Sequence, residues 1–528
     1  MADKILDPIE FEIFKNIFLS IAEEMGITLC RTGFSPNIKE RLDYSCAIYD
    51  ERGQTIAQGD HMPVHLGAMP LSVQAAIEHV EMGPGDVVIL NDPFKGGTHL
   101  PDITLVQPVF FDDDSTPAFY VANRAHHSDV GGISPGSMPL AQEIFQEGLI
   151  IPPIKLVRHG ELCTDVMNFI LANVRTPVER EGDLSAQIAS NRVGEMRLRG
   201  MVERYGMECV RGHARAVQDY AERILRNTIA AIPDGEYSFA DQMDDDGFSR
   251  KNIPIRVTLR ITGDQAEVDF TSTGAQTSGG INANFAITLA ATLYCFRCLV
   301  QEDVLYNSGI SRPVRVIAPP GTIVNALHPA AVASGNVETS QRITDVVLGA
   351  LAQALPHIIP AASQGTMNNV TLGGTRPDDG SPFAYYETMG GGMGGRNGLP
   401  GLSGVHTHMS NTRNTPIEAI EHYLPVRIRT YALRQGSGGD GLYSGGEGIV
   451  REYEMLADTA ITLLTERRAS QPYGAQGGAP GVCGRNTVIR ADGSIETLAA
   501  KIQLDLKTGG RLRIESPGGG GYGAPDIK

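Results

Sequence analysis

The sequence predicts an α+β protein in which several mixed sheet layers surround a central helical segment. Three observations carry this reading. The chain has 528 residues, 41% hydrophobic and 20% charged, too long for one core and apolar enough to fold throughout. From Asp43 to about Val130, short apolar runs alternate with Gly, Pro and Asp turns, a strand pattern. Between about 140 and 232 the pattern becomes helical and largely free of internal proline. Helices and strands are thus segregated more than alternated. Three regions follow: a helix and strand-rich region over 1–139, a helical region over 140–232 and a glycine-rich mixed region over 233–528, all within one unit.

In order along the chain, Phe11, Phe14, Phe18 and Ile21 share one helical face, with Asp7 as N-cap, Pro8 at the first helical position and Gly26 as the stop. Val87 to Leu90, Thr104 to Val106 and Ala118 to Ala122 read as strands. Ala186 to Tyr205 and Ala214 to Ala231 read as two long helices, and strands resume at Glu236 and at Ile255 to Ile261, where apolar and polar residues alternate. Thr415-Pro-Ile-Glu418 has the form of a capping box, so Asn411 to Asn414 form a loop entering a helix. Glycine clusters at 389–396, 436–441 and 517–523 fit either ligand-cradling turns or tight packing corners.

The bulk properties exclude several function classes. A net charge of −17 repels phosphate backbones, so nucleic acid is not an expected partner. No apolar run is long enough to cross a membrane, and Met1 to Asp7 lacks the basic start of a signal peptide, so the cytoplasm is expected. Seven irregularly spaced cysteines are expected as reduced thiols. Cys295 and Cys298 form a C-x-x-C, but they lie in the apolar run 290–300 without a second pair, which reads as helix packing.

Chemistry concentrates in the strand-rich first quarter. Asp43, His99, Asp102 and His126 each fall at a strand end, and Pro101 keeps the His99–Asp102 segment out of any helix interior. Two imidazoles with carboxylates suit Zn, Mn or Fe, and an open coordination position there would activate water. Spacing alone equally allows each histidine to cap a turn by itself. A second polar group comprises Asn336, Glu338, Glu387, Asn411 and Arg413; for Glu338 the alternative is a solvated charge, for Arg413 a surface salt bridge.

Beyond these residues, the whole chain resembles the hydantoinase B family, which includes the B half of 5-oxoprolinase and related ketone carboxylase subunits. The resemblance rests on Gly96-Gly-Thr-His-Leu-Pro-Asp102, Ala125-His-His-Ser-Asp-Val-Gly-Gly132, Glu147-Gly-Leu-Ile-Ile-Pro-Pro153 and Ser278-Gly-Gly-Ile-Asn-Ala283. Gly335-Asn-Val-Glu-Thr-Ser340, Asn411-Thr-Arg-Asn-Thr-Pro416 and Ser516 to Gly523 complete it. It implies a hydantoinase B-like fold and a divalent metal on His99, Asp102 and His126, with Asp43 as fourth ligand. Glu40 competes with Asp43, and His127 with His126. His65 and Asp129 are implied as groups that support the ligands or face substrate, with Glu338 and Arg413 as further catalytic candidates.

The same resemblance implies an ATP-dependent opening of a cyclic amide such as a hydantoin, oxoproline or lactam. No G-x-x-x-x-G-K-[ST] occurs, so ATP and Mg are expected on a separate, actin-like A subunit within a hetero-oligomer. A ketone carboxylase subunit and a scaffold with a structural metal are the competing expectations.

Overall fold

A computed structural model describes residues 7–59, 61–111 and 115–525, so the reading of Met1 to Leu6 lies outside the described residues. The first helix runs Pro8–Thr32, its Asp7 carboxylate accepting the Ile9 amide at 3.0 Å. It does not stop at Gly26. That glycine lies mid-helix where a Cβ would meet the His61 ring at 2.7 Å, so its role is close approach. The helix ends at Gly33.

The chain then builds an antiparallel seven-stranded sheet from β1 (Tyr44–Asp50), β2 (Thr55–Gln58), β3 (Val87–Leu90), β4 (Asp102–Val109), β5 (Phe119–His126), β6 (Ile154–Arg158) and β7 (Glu161–Leu162). Its order is β2-β1-β5-β4-β3-β6-β7. Alternation along each strand feeds both faces. Ile48 and Val121 meet Phe18 and Met25 of the first helix, and Leu105 meets Leu184 of the helix Pro177–Tyr205. On the opposite face Tyr49, Val106 and Ala122 meet Val73 of the helix Met69–His79. Phe18 is fully buried, and each such side chain contributes about 2–3 kcal/mol.

The helix Met207–Ala230 leads into a four-stranded sheet containing Gly235–Asp245 and Lys251–Thr262. Two helices, Phe285–Arg297 and Ser340–Ala354, share the large core beside it. Cys295 is buried in that core and Cys298 is exposed, both as free thiols. The second of these helices is preceded by a π-turn, Gly335–Thr339. Thr415 to Glu418 does not form the predicted capping box. The Thr415 hydroxyl instead accepts from Tyr385 at 2.6 Å, and the helix begins at Ile417 without a side-chain cap.

Two further sheets of four and five strands complete the fold, and the glycine clusters meet between their connections. The amides of Gly395, Gly446 and Gly519 donate to the carbonyls of Gly520, Met393 and Gly446 at 2.8–3.0 Å. A Cβ on Gly392, Gly445 or Gly519 would lie inside the van der Waals surface of a neighbouring backbone carbonyl. The packing alternative therefore holds for these segments.

Candidate metal centre

Asp102 and His126 are direct cross-strand partners on β4 and β5, so period-two alternation puts both on one face of the sheet. The loop before β4 returns His99 onto the same spot. His99 Nε2 lies 3.1 Å from Asp102 Oδ1, His126 Nδ1 lies 3.2 Å from that same oxygen, and the two imidazole nitrogens are 3.2 Å apart. The three ligand atoms fall within 4.8 Å of one another, and all three residues are buried.

The other Asp102 oxygen is anchored. Oδ2 accepts from Thr98 Oγ1 at 2.5 Å and from Asn336 Nδ2 at 3.4 Å, and His65 Nε2 stands 3.5 Å away. Ser45 Oγ holds His65 Nδ1 at 2.9 Å. Burial alone would raise the Asp102 carboxyl, but the facing His99 and His65 rings and the bond to His126 hold it well below the usual carboxylate range. Burial depresses the affinity of His126 for a proton. A carboxylate oxygen thus converges with two imidazoles in a buried pocket. Among the described residues, His126 Nε2 has no hydrogen-bond partner.

His99 and His126 are oriented from outside the cluster. Ala333 O lies 3.3 Å from His99 Nδ1, and the Tyr386 ring stacks on His126 at 4.3 Å and 19°. The Tyr386 hydroxyl donates to Asn369 Oδ1 at 2.7 Å, and Asn369 Nδ2 donates to Glu338 Oε1 at 2.6 Å. Glu338 is therefore buried, not a solvated charge. Burial pushes its carboxyl up to about 8, and its Oε2 has no hydrogen-bond partner among the described residues. Asn336 and Glu338 both project from the π-turn, so one irregular turn touches Asp102 directly and is linked to His126 through Asn369 and Tyr386.

Other sequence-chosen residues lie at different distances from this chemistry. Asp43 gives its carbonyl to the His126 amide at 3.0 Å, while its carboxylate lies 3.8 Å from Arg41 Nη2 and outside the three-ligand group. Glu40 ends the short helix Pro36–Lys39. His127 points to the opposite sheet face, where Nε2 lies 2.9 Å from Gln187 Oε1. Asp129 accepts the amides of Gly131, Gly136 and Arg175 and pairs with the Arg175 guanidinium at 3.1 Å, the turn-organising arrangement. Glu387 pairs with Arg451 at 3.1 Å and takes the Thr415 amide at 2.9 Å. Asn411 and Arg413 are exposed. The Arg413 amide donates to Arg41 O at 3.1 Å, which ties this loop to the site's margin.

Glu147 was not singled out as a site residue. Its Oε1 accepts the adjacent amides of Val332 and Ala333, both at 2.8 Å, and so fixes the segment whose Ala333 carbonyl meets His99. Burial pushes this carboxyl up to about 8. The only sequence signal was its place in the Glu147 to Pro153 block.

The fold and centre define an α+β protein with a buried histidine–aspartate centre in an antiparallel sheet. Residues 7–525 match the family described as Hydantoinase B/oxoprolinase, and the chain belongs to that family. An uncharacterized protein of Methanocaldococcus jannaschii is 44% identical over 98% of this chain and 91% of its own length. 5-Oxoprolinase 1 of Arabidopsis thaliana is 39% identical over 99% of this chain, which spans only 42% of that longer protein. The ATP-dependent caprolactamase of Pseudomonas jessenii superposes with a TM-score of 0.92 at 29% identity, over 99% of this chain and 92% of that one. An acetone carboxylase structure superposes with a TM-score of 0.91 at 18% identity, over 98% of this chain and 76% of that one, a likeness of fold alone.

Proposed function

We propose that this chain is the B-type component of an ATP-dependent cyclic amide hydrolase and holds a divalent metal, Zn, Mn or Fe, on His99, Asp102 and His126. The convergence of three buried ligand atoms on one point carries the reading, supported by 5-oxoprolinase and caprolactamase among the similar proteins. The donor set fits: two nitrogens and one oxygen, with the second Asp102 oxygen already engaged by Thr98. Such an ion supplies Lewis acidity toward a carbonyl or phosphoryl oxygen and acidifies water.

The chain's own residues then do the following. Asp102 and the two imidazoles fix the reacting region, and Asp43 adds negative charge at its edge. His65, with Nδ1 on Ser45, can hold a proton at Nε2 beside Asp102. Glu338 aligns Tyr386 and through it His126. Asp129 keeps the loop after β5 in place, and Arg413 presents a cation from the loop bonded to Arg41.

Amide resonance resists attack by water. Transfer of the ATP γ-phosphoryl group to the amide oxygen makes the carbon electrophilic. Water then adds to that carbon and the ring C–N bond breaks with a proton passing to nitrogen, leaving an acyl phosphate that a second water hydrolyses to the carboxylate and inorganic phosphate. ATP and Mg belong to an actin-like A component, with which this chain forms a hetero-oligomer in the cytoplasm. The purified chain alone is expected to neither hydrolyse ATP nor open a lactam, and mixing with the A component restores both. ATP-independent ring opening by the single chain would overturn this division. Elemental analysis should show about one metal per wild-type chain and a loss in His99→Ala and Asp102→Ala.

A further inference from the structure

A pocket of about 450 Å³ opens at one end of the five-stranded sheet, beside the paired strands Arg485–Ile489 and Ile495–Leu498. Three of its lining side chains are guanidiniums, those of Arg434, Arg468 and Arg485, and among the described residues no carboxylate lines it. This concentration of positive charge runs against a chain whose net charge is −17. Arg485 and Thr497 are exposed, Arg434 and Arg468 are half-buried, and Asn486 is buried. None of these residues belongs to the metal centre.

Neutral acceptors hold the three guanidiniums. Arg434 Nη1 donates to Cys483 O at 2.7 Å and to Ser516 O at 3.1 Å, and its Nε lies 4.0 Å from Glu515, which Arg513 approaches more closely at 3.6 Å. Arg468 donates through Nη1 to Asn368 Oδ1 and through Nη2 to Asn486 Oδ1, both at 2.8 Å. Arg485 Nη2 reaches Thr497 Oγ1 at 3.2 Å. Among the described residues neither Arg468 nor Arg485 forms a side-chain ion pair, and the buried Nε of Arg468 has no hydrogen-bond partner. Gly484 leaves room for this arrangement, since a Cβ there would stand 2.6 Å from Arg468 Nη1. Burial disfavours the charged forms of Arg434 and Arg468; Arg485 adds to this for the first and Arg434 for the second. Asp244, Glu338 and Glu466 oppose it for Arg468 without pairing with its guanidinium. Guanidiniums stay charged at neutral pH, so three like charges share one pocket.

We propose that this pocket is an anion site that takes a phosphate group, as the free ion or on a small phosphorylated molecule. Guanidinium groups arriving from three separate segments suit the several oxygens and double charge of a phosphate better than the two oxygens and single charge of a carboxylate. The volume falls within the range of small-molecule sites. The assignment goes beyond the metal centre and does not depend on it.

The test is calorimetric titration of the full chain with inorganic phosphate, glycerol phosphate and acetate at constant ionic strength. The phosphates should bind and acetate should bind more weakly. Arg485→Met should weaken phosphate binding by about tenfold, and so should Gly484→Ala, which displaces only the mobile end of Arg468. Arg490→Met removes an exposed arginine already paired with Glu496 at 2.7 Å and should leave the affinity unchanged. His99→Ala should also leave it unchanged, which separates this pocket from phosphate held at the metal centre. Matching thermal unfolding establishes that the variants are folded. Tighter binding of the ester identifies a phosphorylated molecule as the occupant, and equal or weaker binding of the ester identifies the free ion; either supports the site. No phosphate binding to the wild type, acetate binding as tight as phosphate, an unchanged affinity in Arg485→Met or loss of binding in His99→Ala overturns it.

Discussion

The His99–Asp102–His126 centre and the glycine-rich layer over 389–396, 436–448 and 517–523 are the two segments richest in short motifs, yet they store information in opposite ways. At the centre, ordinary strand and loop backbone carries a dense set of polar side chains, and the chemistry resides in their atoms. In the glycine layer the side chains are absent so that backbone can bond to backbone, as from Gly519 to Gly446 and from Gly446 to Met393. The first should tolerate changes of shape poorly in function but well in folding. The second should show the reverse.

The sharpest way to break this contrast is to add one methyl group. Gly519→Ala places a Cβ against the Met393 carbonyl, where neither partner can move without disturbing the next strand. A loss of about 3 kcal/mol or more is expected, seen as insoluble protein or a strongly lowered unfolding midpoint. A midpoint equal to that of the wild type would show that the layer has slack.

Asp102→Asn is nearly isosteric and should act the other way. It removes the charge that faces both imidazoles, so bound metal and ATP-dependent ring opening should fall by about 100-fold or more. The metal-free protein should still unfold cooperatively, close to the metal-free wild type. Collapse of folding would make the cluster structural and remove the contrast.

Glu147→Gln probes the support behind His99. The amide oxygen can still accept from Val332 and Ala333, but its NH₂ group enters a pocket where the replaced oxygen had no partner. Metal affinity should drop by about 10-fold, measured by competition with a chelator, more than thermal stability does. pH supplies a second readout. Glu147 and Glu338 are raised from an ordinary 4.5 to about 8, so the folded state holds protons that the unfolded state has released. Their contribution is full below pH 4.5 and is lost as pH rises through 8. Scanning the midpoint between pH 5 and 9 should show this decline, and Glu147→Gln should flatten part of it; an unchanged slope would assign the decline elsewhere.

The smallest effect is a control on glycine itself. Gly200 is exposed within the helix Pro177–Tyr205 with open space where a Cβ would lie. Gly200→Ala should stabilise by about 0.5–1 kcal/mol, and destabilisation would mean that glycine sensitivity is not confined to the backbone-packed layer.

Much of the architecture is local and therefore legible in the chain. Short apolar runs between Gly, Pro and Asp turns gave β3 and the cores of β4 and β5, and helical periodicity gave the long helices near 186–205 and 214–231. Asp7 and Pro8 marked a helix start because capping is satisfied within a few residues. Gly26 and Thr415 misled because their decisive neighbours, His61 and Tyr385, are remote in sequence. The same limit governed the site. His99, Asp102 and His126 were visible as ligand-type residues at strand ends, but the sequence could not separate His126 from His127. The pairing of Asp102 with His126 turns one ring toward the cluster and the other toward Gln187.

Composition, charge and motif order by themselves determined the α+β class, the family and the residue types able to hold a metal. Only the tertiary structure decided which imidazoles converge, that Glu338 and Glu147 are buried supports, and that the central glycines serve close packing. The physical reason is distance. Periodicity and capping act over a few residues along the chain, whereas coordination, desolvation and backbone contact depend on segments such as Asp102 and Asn336 that meet only after folding.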